Sequence, residues 1–171
     1  MTEATGAGPE DAARGVPLTV LGVRVELPEQ QHVILLLDPP GTTVLPLWVG
    51  APEAAAAALA LDGMATPRPL THDLLLSVVD ALGGSLERVR LTEVRDDVVH
   101  ARLELAGGGV VDARASDAVA LALRAEVPVL CSPDLLREAG MATGKGEGAE
   151  EQRQVDDFRD FLDSVDPDDF A

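Results

Sequence analysis

The chain of 171 residues contains no tyrosine, one tryptophan (Trp48) and three phenylalanines. A core built without aromatics must come from leucine, valine and alanine, and the apolar fraction of 46% is enough for one globular domain. No apolar run approaches the roughly 18 residues that a membrane helix needs. A single cysteine, Cys131, excludes an internal disulfide framework and fits a reducing compartment. The opening stretch "MTEATGAGPEDAARG" has neither a basic start nor an apolar segment, so it does not read as a secretory signal. The expectation is a cytoplasmic protein with no membrane anchor.

Positive charge is the other scarcity. Thirteen Lys and Arg stand against thirty Asp and Glu, a net charge of −17. Avid nonspecific binding to nucleic acid needs Lys and Arg to displace phosphate counterions, and there is no basic patch. Residues 145–171 hold ten acids and three bases, so the tail is the most acidic part.

The pattern along the chain divides it into four. Residues 1–14 are small and polar without a period and read as disordered. Residues 15–140 carry all the strand and helix signals. Residues 141–152 read as a Gly- and Glu-rich linker. Residues 153–171 read as an acidic helix and tail, with Val155, Phe158, Phe161, Leu162 and Val165 on one stripe.

Within 15–140, "LTVLGVRVEL", "HVILLLD" and "TVLPLWVG" read as a meander of three strands, the second buried on both faces. "APEAAAAALALDG" reads as a helix with a first-turn proline, an acid at its positive end and a terminating glycine. "THDLLLSVVDALGG" reads as a second helix, capped by Thr71, that packs through Leu74, Leu75, Val78, Val79 and Leu82. Strands 86–95 and 98–105 meet at Asp96-Asp97, and "VVDARA" follows. "SDAVALALRAE" reads as a buried helix capped by Ser116, followed by the short strand "VPVLCS" and the short helix "PDLLREAG". Consecutive strands joined by tight turns favour an α+β fold, a single compact domain whose mixed, largely antiparallel sheet packs against helices.

Two constellations carry chemistry. "RPLTHD" puts Arg68, His72 and Asp73 within six residues at the mouth of a helix. His72 would move a proton, histidine being the side chain that ordinarily titrates between about pH 5 and 8, and Arg68 would hold an anion. The structural alternative is a boundary histidine beside a first-turn acid that meets the helix dipole. On a helical wheel Asp73 falls opposite the apolar face and His72 at its border, so the two side chains diverge. "VDARASDAVALALR" puts Asp112 and Arg114 on one strand face, with Asp117 at a helix start and Arg124 seven residues on. Asp112 and Asp117 are candidate oxygen ligands for Mg²⁺ or Mn²⁺. The alternative is an ion network in which Arg114 bridges two carboxylates. A phosphate-cradling Gly loop with Lys, a zinc spacing and a Gly-x-Ser-x-Gly elbow are all missing.

Three blocks, "LPLWVGAPEAAAAALAL", "RPLTHDLLLSVVDALGGSLERV" and "VDARASDAVALALRAEVPVL", resemble the bifunctional nuclease family in order and spacing. The resemblance covers about residues 15–140, and the segment 158–170 resembles the C-terminal part of bacterial members. It implies a compact, self-associating α+β domain with nuclease activity on DNA and RNA. The polar positions it picks out are Glu53, Arg68, Pro69, Thr71, His72, Asp73, Asp112, Arg114, Ser116 and Asp117. Two positions depart from the family pattern. Val99-His100 replaces an aromatic before Ala101, and Ala115 replaces a proline.

The expectation is therefore a metal-dependent phosphodiesterase. His72, Asp73 and Asp117 are catalytic, Arg68, Arg114 and Ser116 meet the substrate, and Asp73, Asp112 and Asp117 hold Mg²⁺ or Mn²⁺. The rival is a non-catalytic oligomeric module whose acidic C-terminal helix docks a partner.

Overall fold

A computed structural model describes residues 15–64 and 66–143. Contacts group the chain into Met1–Met141 and Ala142–Ala171, and the first unit is described here. Of the expected linker only residues 141–143 are described, and Met141–Ala142 form a short strand instead; the acidic helix at 155–165 and the stretch 1–14 lie outside the described residues.

Three antiparallel strands open the domain: β1 (Val16–Glu26), β2 (Gln31–Leu37) and β3 (Thr43–Val49). Val33, Ile34 and Leu36 on β2 are all buried, so this strand is covered on both faces as its unbroken apolar run requires. The turn between β2 and β3 is held by Asp38, whose carboxylate accepts from the Thr42 and Thr43 amides and the Thr42 hydroxyl. Burial pushes that carboxyl upward, but these hydrogen bonds outweigh it and leave it below the ordinary Asp value.

Helix α1 (Ala51–Leu61) follows at once, its alanines lying close against the sheet, and Gly63 in the left-handed region ends it. Helix α2 (Thr71–Ala81) comes next. Strands β4 (Leu86–Arg95) and β5 (Val98–Leu105) form a hairpin whose two turn residues, Asp96 and Asp97, both have positive φ. That is the backbone a two-residue turn of matching twist demands. Strand β6 (Val110–Arg114) runs directly into helix α3 (Ala115–Ala125). The chain then adds β7 (Val129–Cys131), the helix α4 (Pro133–Ala139) capped by Ser132, and the two-residue β8 (Met141–Ala142).

The sheet order is β6-β5-β4-β7-β1-β2-β3-β8. β7 is parallel to β4 and antiparallel to β1, so the sheet is mixed and mostly antiparallel, as expected. Its inner face and α3 make the core: Leu36, Leu45, Leu91, Leu121 and Val119 are almost fully buried. Each such side chain contributes roughly 1.5–3 kcal/mol of transfer free energy. Among the described residues no helix is long and apolar enough to cross a membrane.

Three expectations need correction. Thr71 does not cap α2. Leu70 holds that position, and its backbone N–H donates to Asp73 Oδ2 at 3.0 Å. Ser116 does not cap α3, because β6 passes into the helix with Arg114 at the cap position. The third correction matters most. Leu74, Leu75, Val78 and Leu82 are exposed, while His72, Asp73, Leu76 and Val79 face inward. The helix turns His72 and Asp73 towards the protein together with Leu76, and of the expected packing stripe only Val79 is turned inward with them. Periodicity reports a face, not what covers it, so the apolar stripe reads as core from the sequence alone.

Candidate active site

Four side chains from three helix mouths converge. Arg114 stands where β6 becomes α3, and its guanidinium is clamped by the first-turn acid Asp117. Nε lies 2.6 Å from Oδ2 and Nη2 lies 3.1 Å from Oδ1. The remaining nitrogen, Nη1, donates to Glu53 Oε1 at 3.0 Å. Glu53 belongs to the first turn of α1, and its carboxylate folds back over Gly50, where a Cβ would lie 2.6 Å from Oε2. His72, in the first turn of α2, brings Nε2 to 3.3 Å from Asp117 Oδ1.

The electrostatics follow from these contacts. Burial raises the Asp117 carboxyl, but the hydrogen bonds and charges of Arg114 and His72 more than offset this and hold it below the ordinary Asp value. The Asp117 hydrogen bond, that carboxylate's charge and Glu53 raise Arg114 further above its usual range. The site thus holds a fixed cation between two carboxylates, with an imidazole on the far side of one of them.

These residues line a cavity of about 310 Å³ with Pro52, Ala56, Leu70 and Thr71. Its openings face solvent, and Arg114 is 65% exposed while His72 is 16% exposed. The arrangement can orient an imidazole. With the proton on Nε2 and donated to Asp117, Nδ1 keeps a lone pair that can accept a proton.

Asp73 goes elsewhere. Its Oδ1 receives Nη1 of Arg124 at 2.6 Å, and its Oδ2 receives the Leu70 amide. Arg124 is nine-tenths buried, and its Nε and Nη2 have no hydrogen-bond partner among the described residues. Asp73 is therefore the counter-charge of a buried arginine. Asp112 is exposed on β6 opposite Arg102 and lies in neither the His72 cavity nor the Arg124 pair. Arg68 is exposed in the segment before α2. Ser116 lies at the start of α3, on the wall of a neighbouring groove.

The structure thus joins His72, Arg114 and Asp117, and it adds Glu53, whose nearness to Arg114 depends on a contact across 61 positions. Asp73, Asp112 and Asp117 are not gathered into one ligand set. Among the described residues no three His, Cys, Asp or Glu side chains form a metal-binding group. Each carboxylate of Asp73 and Asp117 is already engaged by an arginine, so these residues do not fit a shared divalent cation within one chain. The Asp73–Arg124 pair had one sequence signal, opposite charges at the start of one helix and the end of another, but their separation of 51 positions hid it.

Comparison with known proteins agrees with the three sequence blocks. Residues 34–144 match the bifunctional nuclease domain. An uncharacterized protein of Mycobacterium tuberculosis (strain ATCC 25618 / H37Rv) is 42% identical over 156 residues, covering 88% of this chain and 95% of the relative. Bifunctional nuclease 1 of Oryza sativa subsp. japonica is 25% identical over 146 residues, covering 82% of this chain and 44% of that longer protein.

Proposed function

The chain belongs to the bifunctional nuclease domain family, and on that premise we propose that it hydrolyses phosphodiester bonds of DNA or RNA at the cavity between Glu53, His72, Arg114 and Asp117. The observation that carries this reading is the His72–Asp117 contact inside a cavity that also holds a fixed arginine. Asp117 orients the ring. His72 Nδ1 takes a proton from the attacking water as its oxygen bonds to phosphorus, and the ester oxygen departs with a proton from solvent or from the imidazolium. Arg114 offers fixed positive charge where the phosphoryl oxygens gain negative charge. Arg68, exposed before α2, is a further phosphate contact, and Ser116 lies on the wall of the neighbouring groove.

Mg²⁺ or Mn²⁺, when bound, would activate water and offset phosphate charge. The nominated carboxylates do not converge, so no step is assigned to it. The test is cleavage of labelled single- and double-stranded DNA and RNA with Mg²⁺, Mn²⁺ or EDTA. Loss of a general base costs about 10²–10⁴ in rate. Cutting that His72→Ala lowers by that factor supports the reading, and cutting that His72→Ala leaves intact contradicts it.

One observation favours a second reading, an oligomeric interaction module. The exposed stripe Leu74, Leu75, Val78 and Leu82 on α2 is apolar surface of the kind that meets another chain. A second copy of this chain is the proposed occupant, and self-association through this stripe is compatible with cutting, whereas a non-catalytic module is not.

A further inference from the structure

β3 stands near one end of the sheet order and β5 and β6 stand at the other. Yet one groove of about 450 Å³ is lined from both: Trp48 and Gly50 on one side, Val98 and Arg114–Ser116 on the other. The groove is therefore a seam between β3 on one wall and β5, β6 and the start of α3 on the other. Trp48 is 59% exposed there and Val98 is 56% exposed. Glu53 and Arg114 line this groove and the His72 cavity alike, so the Glu53–Arg114 ion pair is a wall common to both.

We propose that the seam is a nucleobase subsite, in which Trp48 stacks on a base of a single-stranded nucleic acid whose phosphate lies at Arg114. The proposal rests on the nuclease reading above. Three features point to a base. An indole face can stack on any base, because every base has a π-face, and Arg114 supplies positive charge on the same wall in a chain whose net charge is −17. The volume falls in the range of about 300–1,000 Å³ usual for small-ligand sites. Two of the polar groups on the wall, Glu53 and Asp97, are carboxylates, which accept hydrogen bonds from the amino groups of adenine, cytosine and guanine. Binding through stacking also implies a shallow salt dependence, because few phosphates are neutralised.

Trp48 is the one tryptophan and tyrosine is absent, so intrinsic fluorescence excited at its red edge reports this groove alone. The experiment titrates the full chain in EDTA with oligodeoxyadenylate and oligothymidylate of about ten nucleotides, within the site sizes usual for such grooves. Binding of the same oligonucleotides carrying a dye is measured in parallel by anisotropy, for the wild type, Trp48→Phe and Trp48→Leu. The expected result is saturable quenching, stronger for oligodeoxyadenylate. Trp48→Leu should raise Kd about fivefold to a hundredfold, the worth of one stacked base, and Trp48→Phe should recover most of the loss. Trp48 is exposed, so circular dichroism of the variants should match the wild type.

No quenching together with unaltered binding in Trp48→Leu overturns the subsite, even if the chain cuts. Quenching without cutting under any metal keeps the subsite and overturns the nuclease reading. A blue shift that depends on protein concentration alone means that a second copy covers the groove, and this too overturns the subsite.

Discussion

His72 Nε2 lies 3.3 Å from Asp117 Oδ1 although 45 positions separate the two residues. The contact exists because α2 and α3 present their first turns to the same cavity. Asp117 is held below the ordinary Asp value of 3.8 by Arg114 and His72, against the opposing effect of burial. A depressed folded value adds stability that is fully present above the unfolded value and is lost as pH falls through the folded one. Acid denaturation of the wild type should therefore show a loss of stability beginning as pH drops below about 4–5. Asp117→Asn should flatten that part of the curve, measured as urea midpoints at a series of pH values. A variant with the wild-type acid limb would contradict the assignment.

Asp73 and Arg124 make the second testable pair. Removing one partner of a buried ion pair strands the other charge, at a cost of about 3–5 kcal/mol when both are fully buried. Asp73 is 29% exposed, so solvent screens part of this. Asp73→Ala should lose roughly 2–3 kcal/mol of unfolding free energy in urea, more than His72→Ala loses. If Asp73→Ala keeps full stability and loses only cutting, Asp73 acts in the chemistry instead.

Cys131 offers a simpler check. Burial pushes its thiol up to about 12 from 9.0, with the Leu136 amide acting weakly the other way. The reactive thiolate is thus scarce at neutral pH. Alkylation by iodoacetamide should be slow in the native protein and fast in denaturant. The raised value also stabilises the fold below pH 9 and gives that stability up between pH 9 and about 12. Fast native labelling would mean that β7 opens readily.

The exposed stripe on α2 predicts self-association. Leu75→Glu with Val78→Glu should reduce the mass seen by light scattering and leave the circular dichroism spectrum unchanged, since exposed substitutions cost only about 0.5 kcal/mol. A monomeric wild type would remove the oligomer from the account.

Much of the fold was legible in the residues, and much of the site was not. The strands 86–95 and 98–105 match their sequence bounds because alternation at Val99, Ala101 and Leu103 is a local signal. The orientation of α2 was not legible. The wheel correctly separates Leu74 and Val78 from Asp73, but most of the expected face is exposed and Val79 alone of it is half-buried, while a buried arginine draws Asp73 inward. The sequence offers Arg114 as a bridge between two carboxylates. The family resemblance picks out Glu53 as a polar position, but nothing in "APEAA" announces its partner 61 positions away. Trp48 was visible only as a strand residue, because the seam that exposes it forms when distant strands approach.

The most direct measurement is the cleavage assay on labelled DNA and RNA with wild type, His72→Ala and Asp117→Asn, purified identically and shown to be folded. Cutting by the wild type that falls about 10²–10⁴-fold in His72→Ala, and falls strongly in Asp117→Asn, is the expected result. Equal cutting by all three proteins, or none by the wild type with Mg²⁺, Mn²⁺ or EDTA, would contradict a reaction site at His72 and Asp117.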